Sequence, residues 1–203
     1  MVQAKCKISR RLGVNVFPKC GKVVARRPYP PGPKKKRRTA QLSEYGKEMR
    51  EKQKLRYLYN LREKQFGNYV RNILTRRGGS EDAAVALIQA LERRLDNAVF
   101  RLGFAATRQQ ARQMVSHGHF LVNQKRTTVP SYQIKKGDEV ALRLQSRQKT
   151  LFKELGPRLK SYQSPVWLEL DAEKLTGKIV GDPSLEEAAP PVEMSSIFEF
   201  YSR

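Results

Sequence analysis

Residues 91–143 read LERRLDNAVFRLGFAATRQQARQMVSHGHFLVNQKRTTVPSYQIKKGDEVALR, and the spacing inside this stretch decides the fold. Val85, Ile88, Leu91, Leu95, Val99 and Leu102 recur at three- or four-residue steps, which predicts one helix running from about Glu81 to Leu102 with a single apolar face. Gly103 suits the left-handed residue that closes a helix. Thr107 then caps a second helix, Gln110 stands where a capping box needs it, and Ala111, Met114 and Val115 supply the buried side. Gly118 stops it. Arg108 and Arg112 are thereby left one turn apart on a face the apolar residues do not use, beside backbone N–H groups at the positive end of the helix dipole. A surface of that kind attracts phosphate.

Beyond Gly118 the period changes from helical to alternating. Phe120–Asn123 and Arg126–Val129 read as strands paired around Asn123-Gln124, a turn that lacks the favoured glycine. Glu139–Leu144 reads as a third strand after the turn Lys136-Gly137-Asp138. A short helix is expected over Lys149–Leu155, and short strands at Trp167–Leu170 and Gly177–Val180. Asp182–Pro191 is an acidic, proline-bearing loop. Ser195–Tyr201 carries Ile197, Phe198, Phe200 and Tyr201, too much apolar surface to leave undocked.

Upstream, Ser43 is placed to cap a helix whose apolar positions are Tyr45, Met49, Leu55 and Leu58. A further helix is expected over Leu61–Leu74, with Phe66, Tyr69, Val70, Ile73 and Leu74 inward, broken by Arg76-Arg77-Gly78-Gly79-Ser80. Tyr57, Tyr59, Phe66 and Tyr69 stand at helical spacing, which favours a core role over a stacking platform for bases. Residues 1–40 hold thirteen Lys or Arg and five Pro, including Pro28-Tyr29-Pro30-Pro31-Gly32-Pro33 followed by Lys34, Lys35, Lys36, Arg37 and Arg38. Such a run reads as an extended arm that becomes ordered against phosphates rather than as an idle tail.

The net charge of +22 on 203 residues narrows the partner class. Residues 1–80 carry 23 bases and 4 acids, residues 81–150 carry 12 and 6, and residues 151–203 carry 6 and 9, so the cationic half is amino-terminal. A chain so charged repels itself until a polyanion neutralises it. Nucleic acid fits better than a membrane, because no apolar run approaches the roughly 20 residues of a bilayer span and no amphipathic basic anchor accompanies the charge. A soluble, intracellular protein is expected. Cys6 and Cys20 are two thiols in a basic region, a weak argument for a disulfide, and none is expected.

The residues quoted above resemble one family, bacterial-type small-subunit ribosomal protein four, which gave its name to the αL RNA-binding motif. The resemblance rests on Leu42-Ser43-Glu44-Tyr45-Gly46, Glu92-Arg93-Arg94-Leu95-Asp96-Asn97, Arg101-Leu102-Gly103-Phe104-Ala105, Thr107-Arg108, Ala111-Arg112-Gln113 and Val115-Ser116-His117-Gly118-His119. Val122-Asn123, Pro130-Ser131-Tyr132, Pro165-Val166-Trp167-Leu168 and Glu199-Phe200-Tyr201-Ser202-Arg203 extend it to both sides of the motif. It implies an α+β fold: a helical N-terminal domain (41–86) closed by residues 192–203, an α/β domain (87–191) holding the motif and a small antiparallel sheet, and the basic arm (1–40). It also implies binding of the five-prime domain of 16S rRNA, nucleation of small-subunit assembly, and an influence on translational accuracy. Ribosomal proteins five and twelve and the mRNA near its entry channel are the implied neighbours, in the cytoplasm of a bacterium or in a bacterial-type organelle. The RNA-binding candidates are the arm residues Lys34 to Arg38, then Lys47, Arg50, Lys54, Arg93, Arg94, Thr107, Arg108, Arg112, Gln113, Ser116, His117, His119, Asn123 and Lys125. Arg93 and Arg94 also neighbour Glu92 and Asp96, so helix-surface pairing competes with RNA contact there.

Two departures from the family pattern are visible. Some members bind zinc through four amino-terminal cysteines. Here Cys6 keeps the first position, Ser9 stands at the second, and Cys20 has no CxxC partner, so neither zinc nor any other cofactor is expected. Pro31-Gly32-Pro33-Lys34 replaces the usual Pro-Gly-x-His-Gly segment. The competing function is an RNA-modifying enzyme, since Arg94-Leu95-Asp96 resembles the Arg-Leu-Asp of pseudouridine synthases. That aspartate falls inside an amphipathic helix, and the roughly 50 residues after position 150 are too few for such a catalytic domain. A free stress-response RNA-binding factor is the third reading. The sequence favours binding without turnover.

Overall fold

The computed structural model describes residues 4–32, 41–77 and 81–202, so the arm cations Lys34, Lys35, Lys36, Arg37 and Arg38 lie outside the described residues. The fold is α+β, and the chain divides into one unit of Met1–Ala84 with Pro190–Arg203 and a second of Val85–Ala189. Among the described residues, no helix is long and apolar enough to cross a membrane.

In the first unit, residues 5–12 and 18–26 of the arm expected to be extended are helical. Helix α1 (Lys5–Leu12), a 3-10 turn (Pro18–Cys20) and α2 (Gly21–Arg26) occupy its first part, with Ser9, Leu12, Val16 and Cys20 buried. The absence of a disulfide is corrected too: Cys6 and Cys20 are bonded, because α1 and the 3-10 turn bring their Cα atoms to 5.2 Å, within the span such a bond requires. Helix α3 (Glu44–Leu58) starts where expected, Ser43 Oγ accepting the Gly46 N–H at 3.3 Å. Its buried face differs from the expected stripe: Tyr45 and Met49 are exposed, while Glu48, Lys52 and Leu55 are buried. The reason is the last helix, α12 (Met194–Ser202), which lies on α3 and lays aromatic rings over it. Lys52 Nζ sits 4.2 Å from the centre of the Phe200 ring and pairs with Glu63, so its charge is compensated where its stem is covered. Helix α4 (Glu63–Arg77) buries Phe66, Val70 and Ile73, and Tyr201 OH donates to Glu63 Oε1 at 3.0 Å. Tyr59 and Phe66 are core residues, as their spacing suggested.

The single helix expected over Glu81–Leu102 is two: α5 (Glu81–Glu92), whose residues from Val85 on belong to the second unit, and α6 (Leu95–Arg101) within it. The break has a tertiary cause. Arg94 is extended (φ −69°, ψ 137°) and bridges Gln133, Arg93 C=O accepts the Ile134 N–H, and the first α6 amides, Leu95 and Asp96, donate to the carbonyls of Tyr132 and Pro130. Residues 130–134 thus satisfy a helix start, and of the strand expected over Arg126–Val129 only Arg126 pairs in the sheet, in β2 with Lys125.

Helix α7 (Arg108–Ser116) follows, and five antiparallel strands pack beneath α6 and α7: β1 (Phe120–Val122), β2 (Lys125–Arg126), β3 (Glu139–Leu142), β4 (Leu168–Asp171) and β5 (Thr176–Ile179), in the order β2-β1-β3-β5-β4. Phe120 pairs with Leu142, Val140 with Gly177 and Leu168 with Ile179. Alternate residues Phe120, Val122, Val140, Leu142, Leu168 and Ile179 join Leu95, Val99, Leu102, Met114 and Val115 in one core. A side chain at Gly177 would sit 2.4 Å from Leu102 Cδ2, so glycine lets α6 rest directly on the sheet. The β1–β2 turn needs no glycine: Asn123 and Gln124 take positive φ (47° and 65°), and the Asn123 side chain locks the turn by donating to Asp138 Oδ1 at 2.8 Å and accepting the Glu139 N–H at 2.9 Å. Short helices α8 (Leu144–Arg147), α9 (Thr150–Lys153), α10 (Leu155–Lys160) and α11 (Leu185–Ala188) complete the unit. Leu144, expected at a strand end, is 72% exposed in α8.

Candidate nucleic-acid interface

The corner between α6 and α7 is built on two buried carboxylates. Glu92 is 1% exposed and its carboxylate accepts from Arg101 Nε at 2.9 Å, Arg101 Nη2 at 2.8 Å and Asn97 Nδ2 at 2.6 Å. Asn97 Oδ1 in turn accepts from Arg108 Nε at 2.7 Å, and the Arg108 guanidinium lies 4.5 Å from the centre of the Phe100 ring. Beside this chain, Arg94 makes a two-point pair with Asp96 at 3.0 and 2.7 Å, and Arg112 Nη1 stands 3.8 Å from Asp96 Oδ2. Four guanidinium groups therefore share two carboxylates. The excess is positive; Arg101, Arg108 and Arg112 carry it on helices, and Arg94 carries it on the extended link between α5 and α6.

Capping delivers the open face. Thr107 Oγ1 accepts the Gln110 N–H at 3.2 Å, and Gln110 Oε1 accepts the Ala106 N–H at 2.9 Å rather than that of the cap residue. Counting from that start, Arg112, Gln113, Ser116 and His117 fall on the side opposite Ala111, Met114 and Val115, and Gln113, Ser116 and His117 are exposed. Gly118 then turns the chain with φ 71°, and a Cβ there would lie 2.4 Å from Arg126 Nε, so the Arg126 guanidinium is laid against the corner itself. Lys125, next to it on β2, is exposed.

The expected site residues separate into three groups. Thr107, Arg108, Arg112, Gln113, Ser116, His117 and Lys125 belong to the second unit, where the α7 residues form one corner. Arg94 and His119, expected on the surface, are turned inward: Arg94 is 1% exposed in its pair with Asp96, and His119 Nδ1 is hydrogen-bonded to Ser146 Oγ at 2.9 Å with Phe152 packed edge-on at 5.3 Å. Asn123 is exposed but spends its amide on the β-turn, and Arg93 pairs with Asp182. In the first unit, Lys47 pairs with Glu44 at 2.8 Å, Lys54 with Glu51 at 2.6 Å, and Arg50 is partly exposed on the same helix.

Three cations went unnoticed in the sequence: Arg126, Arg143 and Lys149. Burial depresses the pKa of His119 below the ordinary imidazole value, and electrostatic repulsion involving Lys149, His117, Arg126 and Arg143 near this turn adds to the effect. Arg143 arrives there because its N–H donates to the His119 carbonyl at 2.9 Å, and Lys149 because the segment after β3 is tied back through Ser146. Hairpin register could have suggested Arg126; nothing local in the sequence announces the other two.

The amino-terminal residues do not fit a structural zinc. Cys6 and Cys20 are bonded to each other, and no group of three or more His, Cys, Asp or Glu among the described residues could hold a metal ion.

Comparison with known proteins gives a consistent answer. Residues 1–92 match the Ribosomal protein S4/S9 N-terminal domain family, and residues 93–140 match the S4 domain family. The chain is 45% identical over 202 residues to small ribosomal subunit protein uS4 of Roseiflexus sp. (strain RS-1), covering 97% of this chain and 96% of that protein. It is 47% identical over 198 residues to uS4 of Persephonella marina, with 97% and 95% covered. It is 41% identical over 206 residues to uS4 of Thermus thermophilus, with 98% and 96% covered. By description these are proteins of the small ribosomal subunit. With that identity over nearly its whole length, the chain belongs to the small ribosomal subunit protein uS4 family.

Proposed function

We propose that this protein is a structural constituent of the small ribosomal subunit, a primary binder of the five-prime domain of 16S rRNA whose early attachment nucleates the body of the subunit. Its work is binding without turnover. Ribosomal proteins five and twelve and the mRNA near its entry channel are its neighbours, translational accuracy is the property it influences, and the bacterial cytoplasm or an organelle with bacterial-type ribosomes is where it acts. The observation that carries this reading is the α6–α7 corner, where Arg112, Gln113, Ser116, His117, Lys125 and Arg126 face outward over a buried lattice that fixes their supports. The net charge of +22 supplies the counterion-release component of affinity. Shape recognition of a folded helical junction supplies selectivity, since side chains do not enter the deep A-form major groove. Lys34 to Arg38, Lys47, Arg50 and Lys54 are proposed as further phosphate contacts.

The test is a competition in which the full-length protein binds a 16S five-prime-domain transcript against an unrelated RNA duplex of equal length at physiological ionic strength. Preference for the transcript is expected, together with a steep linear fall of log affinity with log salt. Equal affinity for the two RNAs overturns the reading.

A further inference from the structure

Residues 4–32 carry eight Lys or Arg and no acid, so their charges repel one another at close range. Their regular structure is an eight-residue α1, one 3-10 turn and a six-residue α2, each below the length at which an isolated helix holds itself in water. Neither helix has a side-chain cap at its start. The segment buries Ser9, Leu12, Val16 and Cys20; α1 packs on α3, Phe17 meets the Tyr57 ring of α3 edge-on at 6.3 Å, and Arg10 Nε reaches the carbonyls of Arg27 and Tyr29 at 3.1 and 3.0 Å. Against that charge and that small core, the Cys6–Cys20 bond is the one covalent constraint, closing a loop between residues fourteen apart.

We propose that Cys6 and Cys20 form a reversible redox modification site: the disulfide holds the α1–α2 segment in its folded form, and its reduction by a small thiol or a protein dithiol releases that segment. Cys20 is fully buried and Cys6 only partly, so the incoming thiolate attacks Cys6 Sγ. The Cys6–Cys20 bond breaks, a mixed disulfide forms at Cys6, and Cys20 leaves as a thiolate that takes up a proton from water. A second thiolate from the reductant attacks the reductant's own sulfur in the mixed disulfide and releases Cys6. Two electrons pass to the protein, both cysteine sulfurs end reduced, and the reductant leaves as its disulfide. Glutathione disulfide drives the reverse reaction. This site is independent of the RNA reading.

The full-length protein is equilibrated in glutathione buffers from fully reducing to fully oxidising, then quenched by alkylation, its thiols counted by mass spectrometry and its amide hydrogen exchange measured. Alkylation of both cysteines is expected at the reducing end and of neither at the oxidising end. Protection of Lys5–Arg26 should fall on reduction by on the order of a hundredfold, with Glu44–Leu58 unchanged. The double variant Cys6→Ala/Cys20→Ala should show the reduced pattern at every poise. Two thiols that stay alkylatable in the most oxidising buffer, or equal protection of Lys5–Arg26 in the two redox states, overturn the proposal. The readout uses no RNA, so an RNA preference that fails leaves this result standing, and the converse holds.

Discussion

Arg108 donates through Nε to Asn97 Oδ1 at 2.7 Å, so the arginine that opens α7 is anchored to the helix before it and is not a freely swinging surface charge. Asn97 is anchored in turn by Glu92, which is almost fully buried and also takes both donors of Arg101. Glu92→Gln keeps the shape but removes the one negative charge among these groups and turns an amide donor toward guanidinium donors. Loss of a buried partner of this kind costs about 3 kcal/mol. Urea denaturation of the full-length variant is expected to show that loss, and an unchanged midpoint would mean that the network is not stabilising.

The same anchoring splits two arginines that look equivalent in the sequence. Arg108 is held by Asn97 and the face of Phe100, whereas Arg112 is about one-third exposed and its Nη1 stands 3.8 Å from Asp96 without a hydrogen bond. Arg108→Ala should therefore lower stability by about 1–2 kcal/mol through the lost hydrogen bond and ring contact. Arg112→Ala should leave stability within about 1 kcal/mol and instead reduce the slope of log affinity for the rRNA transcript against log salt by about one. Parallel denaturation and salt-titration series on the two variants separate the roles, and identical profiles would refute the split.

What the sequence revealed follows from how local each cause is. The α7 helix was legible at both ends because Thr107 and Gly118 act on neighbours within one turn. The strands β1, β3, β4 and β5 were legible because alternation is a property of each segment alone. The break at Arg93-Arg94 was invisible because Gln133 and Ile134, far along the chain, impose it on a stretch whose own spacing is helical. Burial of Lys52 was invisible for the same reason, since the ring that covers it, Phe200, belongs to the last helix. At the site, exposure of Gln113 and Ser116 followed from helical phase, but the inward turn of His119 depends on Ser146 and Phe152, which no spacing connects to it.

Gly118 and Arg126 form a unit with a measurable coupling. At φ 71° a side chain is strained by about 1–2 kcal/mol, and the methyl of Gly118→Ala would also displace the Arg126 guanidinium from its seat. Gly118→Ala should thus lose both stability and rRNA affinity, while Arg126→Ala should lose affinity alone. In a double-mutant cycle the combined variant is expected to bind no more weakly than Gly118→Ala, because the second change removes a group already dislodged. Additive losses in affinity would show that Arg126 acts independently of the turn.

His119 gives the second unit a pH dependence whose sign is fixed by its surroundings. Burial first, then the charges of Lys149, His117, Arg126 and Arg143, hold its folded pKa below the ordinary value of about 6.5. Between the two values the unfolded chain binds a proton that the folded protein refuses, so acid favours unfolding across that window. Stability should be level above about pH 7 and should fall as pH drops through the unfolded value toward the depressed folded one. His119→Gln removes the titration while leaving an amide near Ser146, and His117 is the only other histidine in the chain. Urea midpoints measured at pH 7.5, 6.5 and 5.5 should therefore decline for the parent protein and stay nearly constant for the variant. Parallel declines would assign the dependence to other groups, and a rise on acidification would contradict the inward, cation-surrounded placement of the ring.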